Sequence, residues 1–421
     1  MDPSHNKKIN YDVIVVGAGA SGMMASLAAA GKGARVLLLE KMERPGRKIN
    51  ITGKGRCNIT NSAPLSAFME KTGPDPKFLR NVFSRFFSRQ VIDFLSLNGV
   101  ETTEERGGRI FPVSNRAADV TDALVKALNN AGVTMRTHCR VNRILIQNEC
   151  ICGIETIEGE QLLARKVILT TGGASYPGTG SSGDGYVMLR QIGHHITPIL
   201  PALVPVVTKG DVAEKLQGVS LKNVTASVWL GGKKLGEEFG EMLFAHFGLT
   251  GPIILTLSRR FAIELTKPEG MSVHIDLKPA LDHKKLDERL LREIDENGAR
   301  QVQNMVRTLL PASMVDVCLN LLAIEPFKPA HQLKADERKK LRNWLKEFCF
   351  EVKGVRGFNE AIITKGGVST REIDPKTLAS KKIKGLYFAG ELMDVDADTG
   401  GYNLQIAFST GWVAGEAAAG G

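Results

Sequence analysis

Residues 11–40 read YDVIVVGAGASGMMASLAAAGKGARVLLLE. The pattern of this stretch predicts a buried strand, a glycine-rich turn, a small-residue helix and a second strand, at 13–16, 17–22, 23–30 and 35–39 in that order. Glu40 then follows at about the 20-residue distance from the glycines where dinucleotide-binding folds place an acid for a ribose hydroxyl. The stretch therefore predicts a site for an adenine dinucleotide.

The three glycines of this turn have different physical roles. Gly17 allows a sharp turn, Gly19 allows the backbone to approach a pyrophosphate, and Gly22 allows the helix to pack closely on the strand. The unpaired N–H groups at the start of the helix would then face the phosphates. A glycine turn that merely connects two packed elements would not explain Glu40.

A second G-x-G-x-x-G, formed by Gly178, Gly180 and Gly183, lacks the same context. Tyr176 and Pro177 separate these glycines from the preceding strand, and proline-rich sequence stands where the acid should be. We therefore expect no second nucleotide-binding domain. If NAD(P)H is the reductant, it would bind transiently rather than in a domain of its own.

The length and the net charge of the chain indicate a multidomain protein with a basic surface. A chain of 421 residues exceeds the usual size of a single hydrophobic core, so two or three domains are expected. The formal charge of +10 is compatible with a polyanionic partner such as nucleic acid. Basic residues cluster at 41–56 and at 334–346, and the first cluster would partly serve the phosphates of the cofactor. Charge alone leaves nucleic acid open.

No stretch predicts a membrane span or a metal site. The longest uncharged run, 13–31, contains four glycines and two serines and belongs to the dinucleotide motif, while residues 1–10 are too polar for a signal peptide. We expect a cytoplasmic protein with reduced thiols. Cys150 and Cys152 are the only close pair among six cysteines, and no second ligand pair lies nearby for zinc.

The remaining pattern predicts a nucleotide domain interrupted by an insertion. Residues 78–98 form an amphipathic helical pattern with an aromatic stripe that we assign to the core. Short strand patterns begin near Pro198, helical patterns follow, and a small-residue helix is expected at 404–419. Further strands are predicted at 134–141, 143–147, 150–156, 166–171, 225–230, 271–277, 361–364 and 385–389, and further helices at 117–131, 281–297, 302–309, 312–322 and 335–348.

Four stretches together resemble one family of bacterial flavoproteins, which includes an aminoacetone oxidase, a bile-acid 3-dehydro enone reductase and a 23S ribosomal RNA dihydrouridine synthase. The four stretches are PGRKINITGKGRCNITN (45–61), GGASYPGTGSSGDGY (172–186), EMLFAHFGLTGP (241–252) and GLYFAGELMDVDADTGGYNLQIAFSTG (385–411). Thr52, Lys54 and Ala245 depart from the family pattern. Lys54 adds a cation to the first stretch, which indicates an altered substrate preference.

The resemblance implies an α/β fold with a two-part, Rossmann-like FAD-binding domain of the glutathione-reductase type, interrupted by a β-barrel-like domain and a small helical domain. We place the FAD domain at 1–197 and 357–421, the β-rich domain at 198–278 and 349–356, and the helical insertion at 279–348. FAD is the implied cofactor.

The resemblance also implies roles for particular residues. Gly17, Gly19, Gly22 and Glu40 would hold the adenosine and pyrophosphate, Lys48, Arg56 and Asn58 would line the flavin side, and Asp394 would bind the ribityl chain. Residues 401–405, among them Gly401, Asn403, Leu404 and Gln405, would place N–H groups near the pyrimidine end of the ring, where negative charge develops. Further expected contacts are Ser21, Lys41, Val141, Thr171, Gly172 and Gly390.

Reduction of a C=C bond needs an acid as well as a hydride. Cys57 is one candidate, because neighbouring Arg56 and a cationic loop are expected to lower the pKa of its thiol. An equally open reading is that Cys57 is a small buried packing residue. His246 is the second candidate, since histidine titrates near neutral pH, although a histidine between Phe244 and Phe247 is often only a core residue.

These inferences predict an FAD-dependent oxidoreductase. The leading hypothesis is NAD(P)H-driven reduction of a uridine in 23S ribosomal RNA. The alternatives are a small-molecule enone reductase, an aminoacetone-type amine oxidase, or an RNA-binding protein that is stabilised by FAD and has no turnover.

Overall fold

A computed structural model describes residues 10–420. The strands are β1 (Tyr11–Val16), β2 (Val36–Leu39), β3 (Thr60–Asn61), β4 (Thr72–Gly73), β5 (Thr102–Glu105), β6 (Arg109–Pro112), β7 (Thr134–Arg136), β8 (Val141–Gln147), β9 (Cys150–Thr156), β10 (Gln161–Leu169), β11 (Leu200–Ala202), β12 (Val206–Thr208), β13 (Ser220–Leu230), β14 (Lys233–Ala245), β15 (Gly248–Thr250), β16 (Met271–Asp276), β17 (Phe348–Val355), β18 (Ile363–Lys365), β19 (Leu386–Phe388) and β20 (Asp396–Ala397). The α-helices are α1 (Ala20–Gly31), α2 (Arg47–Ile51), α3 (Leu65–Glu70), α4 (Arg80–Arg85), α5 (Ser88–Leu97), α6 (Ala117–Asn130), α7 (Asp184–Gln191), α8 (Val212–Lys215), α9 (Pro252–Arg260), α10 (His283–Asn297), α11 (Val302–Val306), α12 (Ala312–Leu322), α13 (Ala335–Lys346) and α14 (Tyr402–Ala419).

The chain forms two compact units. The first contains the described residues up to 201 together with those from 361 onward, and the second contains residues 202–360. The nucleotide-binding motif lies in the first unit. That unit is therefore assembled from both sides of the inserted segment.

A parallel sheet organises the first unit. Strand β1 lies between β2 and β10, β2 also pairs with β7, and β10 also pairs with β19, all in parallel. The first three residues of β10 pair instead with β9 in an antiparallel meander with β8. Strands β1 and β2 read as nearly continuous apolar runs because both faces of a parallel sheet are covered. The prediction of a Rossmann-like α/β fold is confirmed.

The last helix packs directly against the first. A Cβ atom at Gly411 would lie 2.2 Å from the carbonyl oxygen of Ser21, and one at Gly415 would lie 2.2 Å from that of Ala25. Glycines four residues apart lie on one helix face, so the backbones of α14 and α1 approach each other closely at both positions. Side chains at these two positions would separate the helices.

Two local predictions for the first unit are wrong. The segment 43–61, whose glycines and cations predict an unpacked loop, contains helix α2, a 3-10 turn and strand β3. The predicted helix at 78–98 is broken at Phe86 and Phe87, which have extended backbones. The break allows Phe86 to stack on Trp412 and Phe87 to contact Phe68, both with ring centroids within about 5.1 Å.

The second unit contains a closed six-stranded barrel in the order β12-β15-β14-β13-β16-β17. Strands β13 and β14 are joined by Gly231 and Gly232, both with positive φ, as tight hairpins require. Helices α10 to α13 follow β16, and their apolar faces share a core with the barrel that includes Leu286 and Leu341. Within residues 10–420 no helix is both long and apolar enough to cross a membrane.

Candidate functional site

The turn between β1 and α1 lines a cleft. Gly17 has a φ of +105°, and a Cβ atom there would lie 2.7 Å from the carbonyl oxygen of Thr170. A Cβ atom at Gly22 would collide with the oxygen of Gly17 at 1.8 Å, whereas one at Gly19 would meet no atom within 4 Å. Gly17 and Gly22 are thus needed for packing, and Gly19 faces open space.

The cleft lies entirely in the first unit and encloses about 1320 Å³, its open mouth included. Eleven of the sequence-predicted cofactor residues line it: Gly17, Gly19, Ser21, Glu40, Lys41, Lys48, Val141, Thr171, Gly172, Asn403 and Leu404. Gly180, from the second glycine motif, lies in the same wall. The two glycine motifs therefore belong to one cleft.

Glu40 directly follows β2 and lines the cleft. Its Oε2 accepts a hydrogen bond from the N–H of Ala18 at 2.8 Å, and its Oε1 accepts one from the N–H of Met42 at 2.9 Å. These bonds fix the carboxylate beside the glycine turn. Because a carboxylate has about four lone-pair sites, it keeps acceptor capacity for hydroxyl groups.

A second acidic residue of the cleft, Glu391, was missed by the sequence analysis. It forms an ion pair with Lys48, and its Oε1 accepts hydrogen bonds from the Ser175 hydroxyl at 2.8 Å and from the N–H of Thr364 at 2.7 Å. Burial raises the pKa of Glu391, but Lys48, Ser175 and Thr364 outweigh this effect and lower it. The carboxylate is therefore charged at neutral pH. A sequence signal was available, because Glu391 lies three residues after the apolar strand β19 and Glu40 directly follows the apolar strand β2.

The structure places Asp394 outside the residues that line the cleft. Burial raises the pKa of Asp394, a hydrogen bond with Thr197 opposes the shift, and its backbone N–H donates to Val368. Glu391, three residues earlier, faces the cleft instead.

A network of charges marks another part of the cleft wall. Asp184 forms ion pairs with Lys41 at 3.0 Å and with Arg140 at 3.1 Å, and its Oδ1 accepts from the Ser182 hydroxyl. Five cations line the cleft against three acids: Lys41, Arg44, Arg47, Lys48 and Arg140, with Glu40, Asp184 and Glu391. The cleft therefore suits an anionic ligand.

Seven other predicted residues do not line the cleft: Gly22, Arg56, Cys57, Asn58, Gly390, Gly401 and Gln405. Several of them join the elements that form it. Thr60 donates from its hydroxyl to Gln405, and Gly401 precedes α14 with a φ of +97°. Arg56 forms an ion pair with Glu105 and donates to Asn115 at 2.7 Å.

Cys57 is not the acidic thiol that the sequence suggested. Its side chain is fully buried, and burial raises the pKa of the thiol to about 12 despite a hydrogen bond with Thr52. The prediction of a lowered pKa is wrong because burial, rather than the neighbouring cations, determines the shift of the thiol pKa. Its packing role accounts for its position.

His246 lies in the second unit, in the turn between β14 and β15. Its side chain is exposed, with the ring edge against Phe247 at a centroid distance of 5.0 Å. The alternative that it is a satisfied core histidine is therefore wrong. The ring is accessible to solvent and to a ligand.

The residues of the cleft fit an adenine dinucleotide. The Oγ1 atom of Thr171 is buried in the cleft wall with no hydrogen-bond partner, and Gly19, which precedes α1, provides no side-chain cap. An orphaned hydroxyl and free helix N–H groups are donors that a phosphate-containing ligand would satisfy. The open space at Gly19 leaves room for that ligand.

Comparison with known proteins shows relatives that match nearly the whole chain. The chain is 34% identical over 407 residues to a 3-dehydro-bile acid delta(4,6)-reductase of Clostridium scindens, covering 96% of this chain and 98% of the relative. It is 32% identical over 407 residues to a ribosomal RNA dihydrouridine synthase of Escherichia coli, covering 96% of each chain.

Solved structures agree on the fold. A 3-ketosteroid delta1-dehydrogenase from Sterolibacterium denitrificans aligns with a TM-score of 0.55 at 14% sequence identity, covering 98% of this chain and all of that chain. Residues 11–417 match the family described as HI0933-like protein Rossmann domain. The chain is therefore a member of the HI0933-like Rossmann family and is an FAD-dependent oxidoreductase.

Proposed function

We propose that this enzyme reduces a C=C bond with NAD(P)H as a transient reductant, and that its leading substrate is a uridine of 23S ribosomal RNA. One observation carries the proposal: full-length relatives with different named substrates, a bile acid and ribosomal RNA, share reduction of a C=C bond. The formal charge of +10 favours the polyanionic substrate of the two. A ribosomal RNA substrate would place the enzyme in the cytoplasm.

The cleft supplies groups for each part of FAD. The glycine turn and the N-terminus of α1 would hold the pyrophosphate, and Glu40 would accept the ribose hydroxyls. Glu391 would take the ribityl-binding role that the family resemblance implied for Asp394, because Glu391 lines the cleft and Asp394 does not. When bound, FAD supplies the hydride.

The start of α14 would hold the pyrimidine end of the flavin. Gly401 precedes the helix without a side-chain cap, while Asn403 and Leu404 line the cleft. Free N–H groups and the positive end of the helix dipole stabilise negative charge, which develops there in the reduced ring.

We also propose that the second unit consists of the barrel domain and the helical domain at 279–348.

The proton for the second carbon needs an accessible donor. Cys57 is buried with a raised pKa, so it does not serve. His246 is exposed, and we assign it the role of general acid. Replacing His246 with Gln should lower kcat for a confirmed substrate about 100-fold or more while leaving bound FAD unchanged.

The substrate is tested with ribosomal RNA from cells that carry or lack the gene. Mass spectrometry of 23S RNA fragments should show a dihydrouridine that disappears in the deletion strain and returns with the wild-type gene. A Glu40→Ala gene, whose product should bind FAD poorly, serves as the inactive control. Identical dihydrouridine content in all strains would reject ribosomal RNA as the substrate.

A small-molecule enone reductase is the second candidate, favoured by the 34% identical bile-acid reductase. Purified enzyme, reduced anaerobically with NADH or NADPH, would be reoxidised by a conjugated steroid enone but not by RNA. Rapid reoxidation by oxygen with aminoacetone as electron donor would instead indicate an amine oxidase. FAD binding without reoxidation by any of these substrates would favour the non-catalytic RNA-binding protein.

A further inference from the structure

Three loops of the first unit meet beside the cleft: 53–56, 105–109 and 113–116. Arg56 joins them, since it forms an ion pair with Glu105 and donates from Nε to Asn115 at 2.7 Å. Thr52, directly before the first loop, lines the cleft. The surface formed by these loops therefore begins at the cleft wall.

Five cations occupy these loops, and we call them the cationic rim: Lys54, Arg56, Arg106, Arg109 and Arg116. Glu105 pairs with Arg56 and with Arg109 at 3.5 Å, and Asp119 pairs with Arg116 at 3.6 Å. Lys54 and Arg106 are exposed and have no acidic partner anywhere in residues 10–420. The rim therefore carries excess positive charge that the protein does not neutralise.

Two guanidinium groups of the rim are positioned by an aromatic ring. The guanidinium carbon of Arg56 lies 4.2 Å from the ring centroid of buried Phe111, and that of Arg109 lies 5.8 Å from it. Packing against a ring limits the freedom of these long side chains. Planar, held guanidinium groups bind phosphate oxygens in pairs and stack on nucleobases, which a bare ammonium group does not.

Lys54 is held in an unusual backbone conformation. Its φ is +59°, and it lies between Gly53 and Gly55, which also have positive φ. The N–H of Cys57 donates to the oxygen of Thr52 at 3.0 Å and closes the loop around it. A non-glycine residue in this region costs about 1 kcal/mol or more, so the fold maintains this tip against a local preference.

We infer that the cationic rim binds the phosphates of a single-stranded RNA segment whose target base enters the cleft. The inference rests on the proposed function and adds the surface that would hold the substrate. An enzyme that acts on a base must take it out of the stack, and the flanking phosphates then need partners near the entrance. The rim supplies such partners next to the cleft wall.

The test compares two triple variants that lose the same charge. The rim variant carries Lys54→Gln, Arg106→Gln and Arg116→Gln, and the control carries Lys284→Gln, Lys339→Gln and Lys340→Gln, which are exposed helix positions of the second unit. Binding of purified large-subunit ribosomal RNA is measured at KCl concentrations from about 50 to about 200 mM. FAD content and reduction by NADPH are measured for both.

We expect the RNA affinity of the rim variant to fall at least tenfold. The slope of log Kd against log salt concentration should fall by about two, because each phosphate contact contributes about 0.7 to 0.9 to that slope. The control should change less than threefold. KM for RNA should rise in the rim variant, with FAD content and NADPH reduction as in the wild type. If both variants lose affinity equally, the binding is general charge attraction and the rim assignment is wrong.

Failure of the rim and failure of the proposed function give different results. A rim variant that binds and modifies RNA like the wild type would overturn the rim and leave the function intact. If the wild-type enzyme forms no dihydrouridine, but the rim substitutions reduce RNA affinity and the control substitutions do not, the proposed reaction is overturned and the binding surface is kept. Wild-type protein that does not bind RNA would overturn both.

Discussion

Lys48 and Glu391 form an ion pair in the cleft wall although 343 positions separate them in sequence. About a fifth of each side chain is exposed, so each charge is largely removed from water and is neutralised by the other. The Nζ of Lys48 also donates to the Ser175 hydroxyl at 2.6 Å. The pair thus connects the segment after the glycine turn to the segment after β19.

Replacing Glu391 with Gln should destabilise the first unit by about 3 kcal/mol, because Lys48 is left charged and without its partner. The double change Glu391→Gln with Lys48→Met should recover part of that loss. Urea unfolding of the FAD-free protein measures both values. The exposed Arg89–Asp93 pair is the control, and Arg89→Gln should cost less than about 0.5 kcal/mol. Equal effects at the two pairs would contradict the assignment of a buried, coupled pair.

Gly411→Ala should lower stability, whereas the same substitution at Gly31 should raise it. The new methyl group at 411 would meet the backbone oxygen of Ser21, which has no side-chain freedom to move aside. At Gly31, inside the last turn of α1, a Cβ atom meets nothing within 4 Å, and alanine is favoured in helices by about 0.5–1 kcal/mol. Thermal unfolding of the two variants should therefore shift Tm in opposite directions. A shift of the same sign would show that α14 is not held by this contact.

Cys57 should resist alkylation in the folded protein. Its side chain is fully buried and the pKa of its thiol is raised to about 12, so almost no thiolate exists at pH 7.5. Cys150 and Cys349 are exposed and should react with iodoacetamide first. Peptide mass spectrometry gives the order of modification. Cys57→Ser should also keep turnover of a confirmed substrate within about threefold, and a loss above 100-fold would restore the thiol as a candidate acid.

Acid should weaken the first unit through His194. The ring is buried, its Nδ1 contacts Glu372 at 2.7 Å and its Nε2 contacts the Ser380 hydroxyl at 3.1 Å. Burial lowers the pKa of His194 from its ordinary 6.5, although Glu372 opposes the shift. A lowered pKa means that the stabilisation is complete above pH 6.5 and is lost as pH falls through the lower folded value.

The measurement for His194 is Tm between pH 7.5 and pH 5. Wild type should lose more stability over this interval than His194→Gln, which has no proton to gain there. The pKa of Glu372 is lowered as well, with burial opposing Lys382 and His194, so its contribution disappears at still lower pH. Parallel Tm curves for the two proteins would contradict the assignment.

The local pattern of residues 11–40 predicted its own structure well. Strand β1, helix α1 and strand β2 follow from apolar runs and glycine positions, which act over neighbouring residues. Glu40 could be assigned because its distance from the turn is fixed by that βαβ unit. The helix break at Phe86 could not be predicted, since contacts with distant Trp412 and Phe68 stabilise it.

The cleft was predictable only in part, because some of its residues lie close together in sequence and others do not. Residues in the glycine turn were found, but the Lys48–Glu391 pair depends on two segments that only the fold brings together. For Cys57, the sequence showed cations nearby and gave no information on burial, which determines the pKa. Contacts between distant segments therefore account for most of what the sequence alone did not predict.

The contact of Gly411 and Gly415 with α1 also affects the order in which the chain matures during synthesis. Residues 202–360 leave the ribosome as one continuous segment, whereas α1 waits for a helix made nearly 400 residues after it. The face of α1 that α14 covers lacks its partner throughout that interval. Translation stopped before residue 402 would therefore release a polypeptide with the barrel segment complete and the cofactor cleft unfinished, a substrate for chaperones and proteases rather than an enzyme.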